Sequence, residues 1–143
     1  MHENKGADCY CISMRRAANA VTKLYDDRFK EAGLTVGQYS ILNNLSKLQT
    51  ATVTELANVL RLERTTVTRN LKPLLGAGFI QDMAGHDKRD RAITLTEEGK
   101  QALKTGRDCW EKTQAFVETA IGKEEMDRFL KMLQLLEHIE AQA

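Results

Sequence analysis

Arg64, Thr65, Thr66, Thr68, Arg69 and Lys72 crowd into one short stretch, and their side chains share a chemistry. Arg can bond guanine bidentately, Thr can offer a hydroxyl or a methyl to a base edge, and Lys and Arg neutralise phosphates. Val67, Leu71 and Leu74 recur among them at spacings of four and three. A helix over this stretch therefore hides an apolar stripe and turns its cations and hydroxyls outward. Such a face suits the major groove of DNA; the competing reading is an ordinary solvated face. A second cluster, Asp87-Lys88-Arg89-Asp90-Arg91, follows shortly downstream and shifts the balance towards DNA. A long, flexible Arg fits the narrow, electronegative minor groove of A·T-rich duplex. Lys88, Arg89 and Arg91 supply the charge, and Asp87 is placed to orient the arginines through charge-assisted hydrogen bonds. The alternative here is a solvated hairpin turn.

Cys9-Tyr10-Cys11 is the other reactive group. A thiol at the start of a helix can be activated, which makes Cys11 a candidate redox switch; the alternative is a small, partly buried apolar residue. Two cysteines one residue apart lack the spacing of structural zinc, and His2, His86 and His138 are scattered, so no metal is expected. Cys109 beside Trp110 reads as core. No Gly-rich phosphate loop, HExxH or GxSxG is present, so neither an enzyme nor a cofactor is expected.

The elements that must position these residues are legible as periods and punctuation. Residues from about Cys9 to Ala32 read as a long helix, with Met14, Ala17, Ala18, Val21, Leu24, Tyr25 and Phe29 at spacings of three and four and Gly33 as its stop. Thr35 and Gln38 form a capping box for a helix lined by Tyr39, Leu42, Leu45 and Leu48. Thr52 and Glu55 form another, before a short helix with Val53, Leu56, Ala57 and Leu60 inward. Leu62 sits in a turn, and the next helix runs from about Arg64 to Ala77, with Pro73 inside it. Phe79–Ala84 and Arg91–Leu95 read as two strands of a hairpin. Thr96 caps a long helix with Leu103, Cys109, Trp110, Thr113, Val117 and Ala120 along one face. After a break at Gly122, a last helix places Met126, Phe129, Leu130, Leu133, Leu136 and Ile139 inward.

Helix-turn-helix followed by a hairpin with a basic tip predicts a winged helix over about residues 52–96. The class is mainly α with a minor β part, in one domain over residues 1–143. Long helices at about 9–48 and 97–141 remain over, and their apolar faces predict mutual burial in a homodimer; the alternative is a thicker core in one monomer. Residues 52–96 hold seven Lys/Arg against five Asp/Glu, and residues 97–143 seven against ten, although the net charge of the whole is only +1. That mild central bias agrees with a nucleic-acid contact. Hydrophobic residues at 42% and charged residues at 29% fit an ordinary soluble chain. No run approaches the roughly 18 apolar residues of a membrane span, and no leader is evident. With an odd cysteine count, a reducing cytoplasm is the expected compartment.

The chain resembles MarR-type transcriptional regulators from about Cys11 to Ile139. The resemblance is carried by GLTVGQYSIL at Gly33–Leu42, by TVTELANVL followed by TTVTRNLKPLLGAGFI, and by DKRDRAITLTEEGK at Asp87–Lys100. The D-x-R wing, a strand ending in Leu-Thr and the helix after it are the most diagnostic part. The resemblance implies a homodimer joined through its terminal helices, a recognition helix at Arg64–Lys72, a wing arginine at Arg89 and a pseudo-palindromic operator in double-stranded DNA. It implies a repressor released by a small phenolic or aromatic ligand, an oxidant or a metal. Tyr25, Tyr39, Ile41, Leu45 and Trp110 could line the ligand pocket, or be plain core. In the hydroperoxide-sensing branch the reactive cysteine lies 28 residues before the Tyr of a Gln-Tyr pair, as Cys11 does before Tyr39. Tyr25 matches a tyrosine that supports that thiol, while Arg15 and Val36 replace further tyrosines of the branch. A winged module that binds protein instead of DNA is the remaining alternative.

Overall fold

The structure, a computed structural model, describes residues 9–83 and 91–142. It divides into two compact units, Met1–Cys109 and Trp110–Ala143.

In the first unit, α1 (Tyr10–Phe29) passes into a 3₁₀ turn at Lys30–Ala32, closed by Gly33 at φ 70. Gly33 adopts the left-handed conformation that lets a chain leave a helix without a Cβ penalty. The predicted capping box opens α2 (Val36–Leu48): Thr35 Oγ1 accepts from Gln38 N, and Gln38 Oε1 accepts from Thr35 N. Asp26 of α1 adds a long-range cap, its carboxylate accepting from Val36 N at 2.8 Å. α2 is the hub of the unit and packs against α1, α3, α4, β1 and β3. Of its expected inward residues, Tyr39, Leu42 and Leu45 are buried together with Ile41, whereas Leu48 at the end is exposed.

β1 (Thr50–Ala51) leads into α3 (Val53–Leu60), which Thr52 caps through Glu55 N at 3.1 Å. α4 (Arg64–Gly76) continues through Pro73 without ending there. Gly78 at φ 77 turns the chain, and the bond from Phe79 N to Leu74 O at 3.0 Å closes the helix end. β2 (Ile80–Met83) and β3 (Ala92–Leu95) form the expected antiparallel hairpin. The sheet also has a third strand that the sequence pattern did not suggest: β1 pairs with β3, Thr50 opposite Thr94 and Ala51 opposite Ile93, so the order is β1-β3-β2. Two residues are too few to show a period.

α5 (Glu97–Ile121) begins at Thr96, whose hydroxyl accepts from Gly99 N at 3.0 Å and donates to Gly78 O. Gly99 permits this start, because a Cβ there would stand 1.9 Å from the Phe79 carbonyl oxygen. Gly106 likewise lets α5 approach the Tyr39 ring. The hydrophobic core runs from Phe29 through Leu42, Leu56, Val67, Leu74, Ile80 and Ile93 to Leu103 and Cys109, all inside this unit.

The second unit holds residues 110–121 of α5, α6 (Lys123–Glu137) and a 3₁₀ turn at Ile139–Gln142. Its apolar stripe is present but not inward. No residue of α6 is buried; Phe129, Leu130, Leu136 and Ile139 are exposed, and Met126 and Leu133 are half-buried. Trp110 is also exposed, while Thr113 is fully buried. The expectation of an inward face on α6 is thus corrected for the single chain, where the stripe still meets water. Among the described residues no helix is long and apolar enough to cross a membrane.

Candidate nucleic-acid interface

α4 is an amphipathic helix seated by Val67, Leu71 and Leu74, which are at most 4% exposed. That burial fixes its rotation about its own axis, and so determines what the opposite face presents. Positions 64, 65, 68, 69 and 72 fall within an arc of about 140° at the helical period of 3.6 residues. Their side chains line one open hollow of about 560 Å³: Arg64, Thr65, Thr68, Arg69 and Lys72. Five of the six residues expected on this helix are therefore brought together. Thr66 is half-buried and stands apart from them.

The hollow is cationic. Among the described residues no carboxylate pairs with Arg64, Arg69 or Lys72. The start of α4 is also left open. Glu63 occupies the N-cap position with no side-chain cap, in contrast to Thr35 and Thr52 at the preceding helices. First-turn N–H groups without an internal partner favour an anion, as does the positive end of the helix dipole. The turn before α4 is held by Arg61 in the left-handed conformation, φ 54, whose N–H bonds back into α3.

At the hairpin, Asp87, Lys88 and Arg89 lie outside the described residues. Arg91 is described, and it has a partner that sequence reasoning missed: its Nε lies 3.1 Å from Asp82 Oδ2. The strand register explains the pair. Asp82 stands opposite Ile93, on the face that Ile80, Ile93 and Leu95 turn to the core. Two residues before Ile93, Arg91 shares that face and reaches Asp82 diagonally across the strands. An acid at a core-facing position of a strand was the available clue.

The other candidates separate. Cys9 and Cys11 are exposed and Cys109 is buried. Cys11 lies in the first turn of α1 and Tyr25 in the last third of the same helix, about 21 Å further along its axis at 1.5 Å per residue. One chain therefore does not join Cys11 to Tyr25. Tyr25 instead stacks on Phe29, with ring centroids 6.3 Å apart, and Phe29 meets Tyr39 at 5.0 Å. Of the suggested pocket residues, Tyr39, Ile41 and Leu45 are core, and Tyr25 packs against it.

A helix-turn-helix whose second helix turns its cations out, followed by a hairpin, defines a winged helix-turn-helix protein. The MarR family model matches residues 34–90. The M. tuberculosis transcriptional regulator MosR, solved in complex with DNA, is similar at 36% identity and a TM-score of 0.80, over 94% of this chain and 98% of that one. The HTH-type regulator YwoH of Bacillus subtilis is 31% identical over 88 residues, 62% of this chain; that match spans only 64% of YwoH. A probable transcriptional regulator from Pseudomonas aeruginosa shares the fold, with a TM-score of 0.79 at 20% identity over 90% of this chain and 97% of that one. The chain belongs to the MarR family of winged helix-turn-helix transcriptional regulators, which are not enzymes.

Proposed function

We propose that this chain is a sequence-specific DNA-binding regulator that uses α4 as its recognition helix. The observation that carries the reading is the cationic hollow of Arg64, Thr65, Thr68, Arg69 and Lys72 on a helix whose other face is locked in the core. Arg64 and Arg69 reach base edges or phosphates, the threonines read edges at shorter range, and Lys72 neutralises backbone. Lys88, Arg89 and Arg91 form the second contact, at the hairpin, with Asp87 orienting its arginines. The DNA complex of MosR, a protein similar over nearly its whole length, supports the same partner here.

The active form in this reading is a cytoplasmic homodimer on a pseudo-palindromic operator. Its support is apolar surface that a lone chain leaves wet: Tyr10, Ile12, Met14 and Val21 in the first unit, and Phe129, Leu130, Met132 and Leu135 in the second. The regulator represses, and a small aromatic or phenolic effector releases it. The direct test is a gel shift with the duplex upstream of its own gene against a random duplex of equal length. Retardation of the first at concentrations that leave the second free is expected; equal behaviour of the two would overturn sequence-specific binding.

A second reading makes the effector an oxidant acting at Cys11, and the exposure of both Cys9 and Cys11 supports it. Any help from Tyr25 then has to come from a second copy. The expected result is loss of operator affinity after organic hydroperoxide in the parent but not in Cys11→Ser. If both keep their affinity after oxidant, the thiol is not the sensor and a reversible ligand takes its place.

A further inference from the structure

Asp82 is costly where it stands. It occupies a core-facing position of β2, its side chain is 27% exposed, and its Oδ1 is closed to solvent with no hydrogen-bond partner among the described residues. A carboxylate in such a place is tolerated when a cation compensates it. Arg91 does so through Nε, at 3.1 Å, while its own side chain stays 54% exposed. The guanidinium is planar and its donors form a rigid fork. Fixing Nε on one side therefore fixes the direction of the terminal amino groups on the other. By strand alternation Arg91 falls on the same face as Ile93 and Leu95, at the root of the hairpin, with more than half of its side chain open to solvent.

We propose that Asp82 is a positioning residue for DNA recognition: it holds Arg91 so that the terminal amino groups of the guanidinium are presented to a backbone phosphate beside the wing. The inference rests on the DNA-binding reading above. It makes a prediction against the simple electrostatic one. Removing a negative charge from a surface that faces a polyanion should strengthen binding to any duplex. Removing a carboxylate that aims an arginine should weaken binding to the right duplex, because a loose arginine must be ordered on contact. The two effects differ in sign on the operator and separate the roles.

The experiment measures affinity by fluorescence anisotropy, across a range of salt, for the duplex upstream of the gene and for a random duplex. The proteins are the parent, Asp82→Asn, Arg91→Gln and the double variant, each with its melting temperature. Asp82→Asn is expected to lose about tenfold on the upstream duplex, and to gain slightly or stay level on the random one. In the Arg91→Gln background the Asp82 change should cost nothing further, since its effect passes through that guanidinium. Unchanged or tighter binding of Asp82→Asn to the upstream duplex, or an equal loss with and without Arg91, would overturn the assignment. Should Asp82→Asn fail to fold, Arg91→Lys puts the same question: it keeps the charge but has no fork to aim. Reduced preference for the upstream duplex with a parental salt slope supports the proposal, and parental preference overturns it. A parent with no affinity for duplex would overturn both this inference and the function it rests on. A parent that binds, with variants that match it, overturns this inference alone.

Discussion

Arg69 and Arg89 stand for two kinds of contact. Arg69 is exposed on α4, two residues past the buried Val67, so the seating of the helix sets where its side chain starts from. If it is bidentate to guanine, Arg69→Ala should cost about 1–3 kcal/mol per half-site and relax the preference at one base pair. Arg89, by the proposed reading, enters the minor groove. Arg89→Ala should flatten the dependence of log K on log salt and be felt most with A·T-rich flanks. Salt titrations on operators with A·T-rich and G·C-rich flanks check both. An unchanged slope and flank preference for Arg89→Ala would remove the wing from the account. The types of these residues were legible in the sequence because chemistry needs no neighbours to be read. The Asp82–Arg91 pair was not, because it exists only once the strand register is set.

The elements were legible where local physics decides them. Thr35 with Gln38, Thr52 and Thr96 announce their helices through a hydroxyl that satisfies a backbone donor. The helical period places Val67, Leu71 and Leu74 in the core, as they are. β1 escaped because its pairing with β3 spans more than forty residues of chain and involves only Thr50 and Ala51. Gly99 shows how tightly the elements meet. Alanine normally favours a helix over glycine by about 1 kcal/mol, but here its Cβ would press into the Phe79 carbonyl at 1.9 Å. Overpacking typically costs about 1–3 kcal/mol, and a clash this close with rigid backbone falls at the upper end and outweighs that gain. Gly99→Ala should therefore lower the melting temperature by about 5–10 °C. A melting temperature equal to or above the parent's would show that α5 and the lead into β2 are looser than described.

At the scale of the whole molecule, the apolar stripes of α1 and α6 were legible but their partner was not, since a period states that a face is apolar and not what covers it. Phe129, Leu130, Met132, Leu135 and Ile139 are all exposed in the single chain, and the dimer proposed above accounts for them. Deleting residues 122–143 should abolish the dimer in sedimentation; a well-behaved dimer after the deletion would place the interface elsewhere. A dimer of winged helices presents two α4 helices to successive major grooves, about 34–36 Å apart on one side of the duplex. Hydroxyl-radical footprinting of the upstream duplex reads that geometry directly. Two protected tracts are expected on one face, centred about 10–10.5 base pairs or a multiple of that apart, and both lost with Arg69→Ala. A footprint that Arg69→Ala leaves intact, or no footprint with the parent at concentrations that protect nothing on random DNA, would contradict recognition by α4.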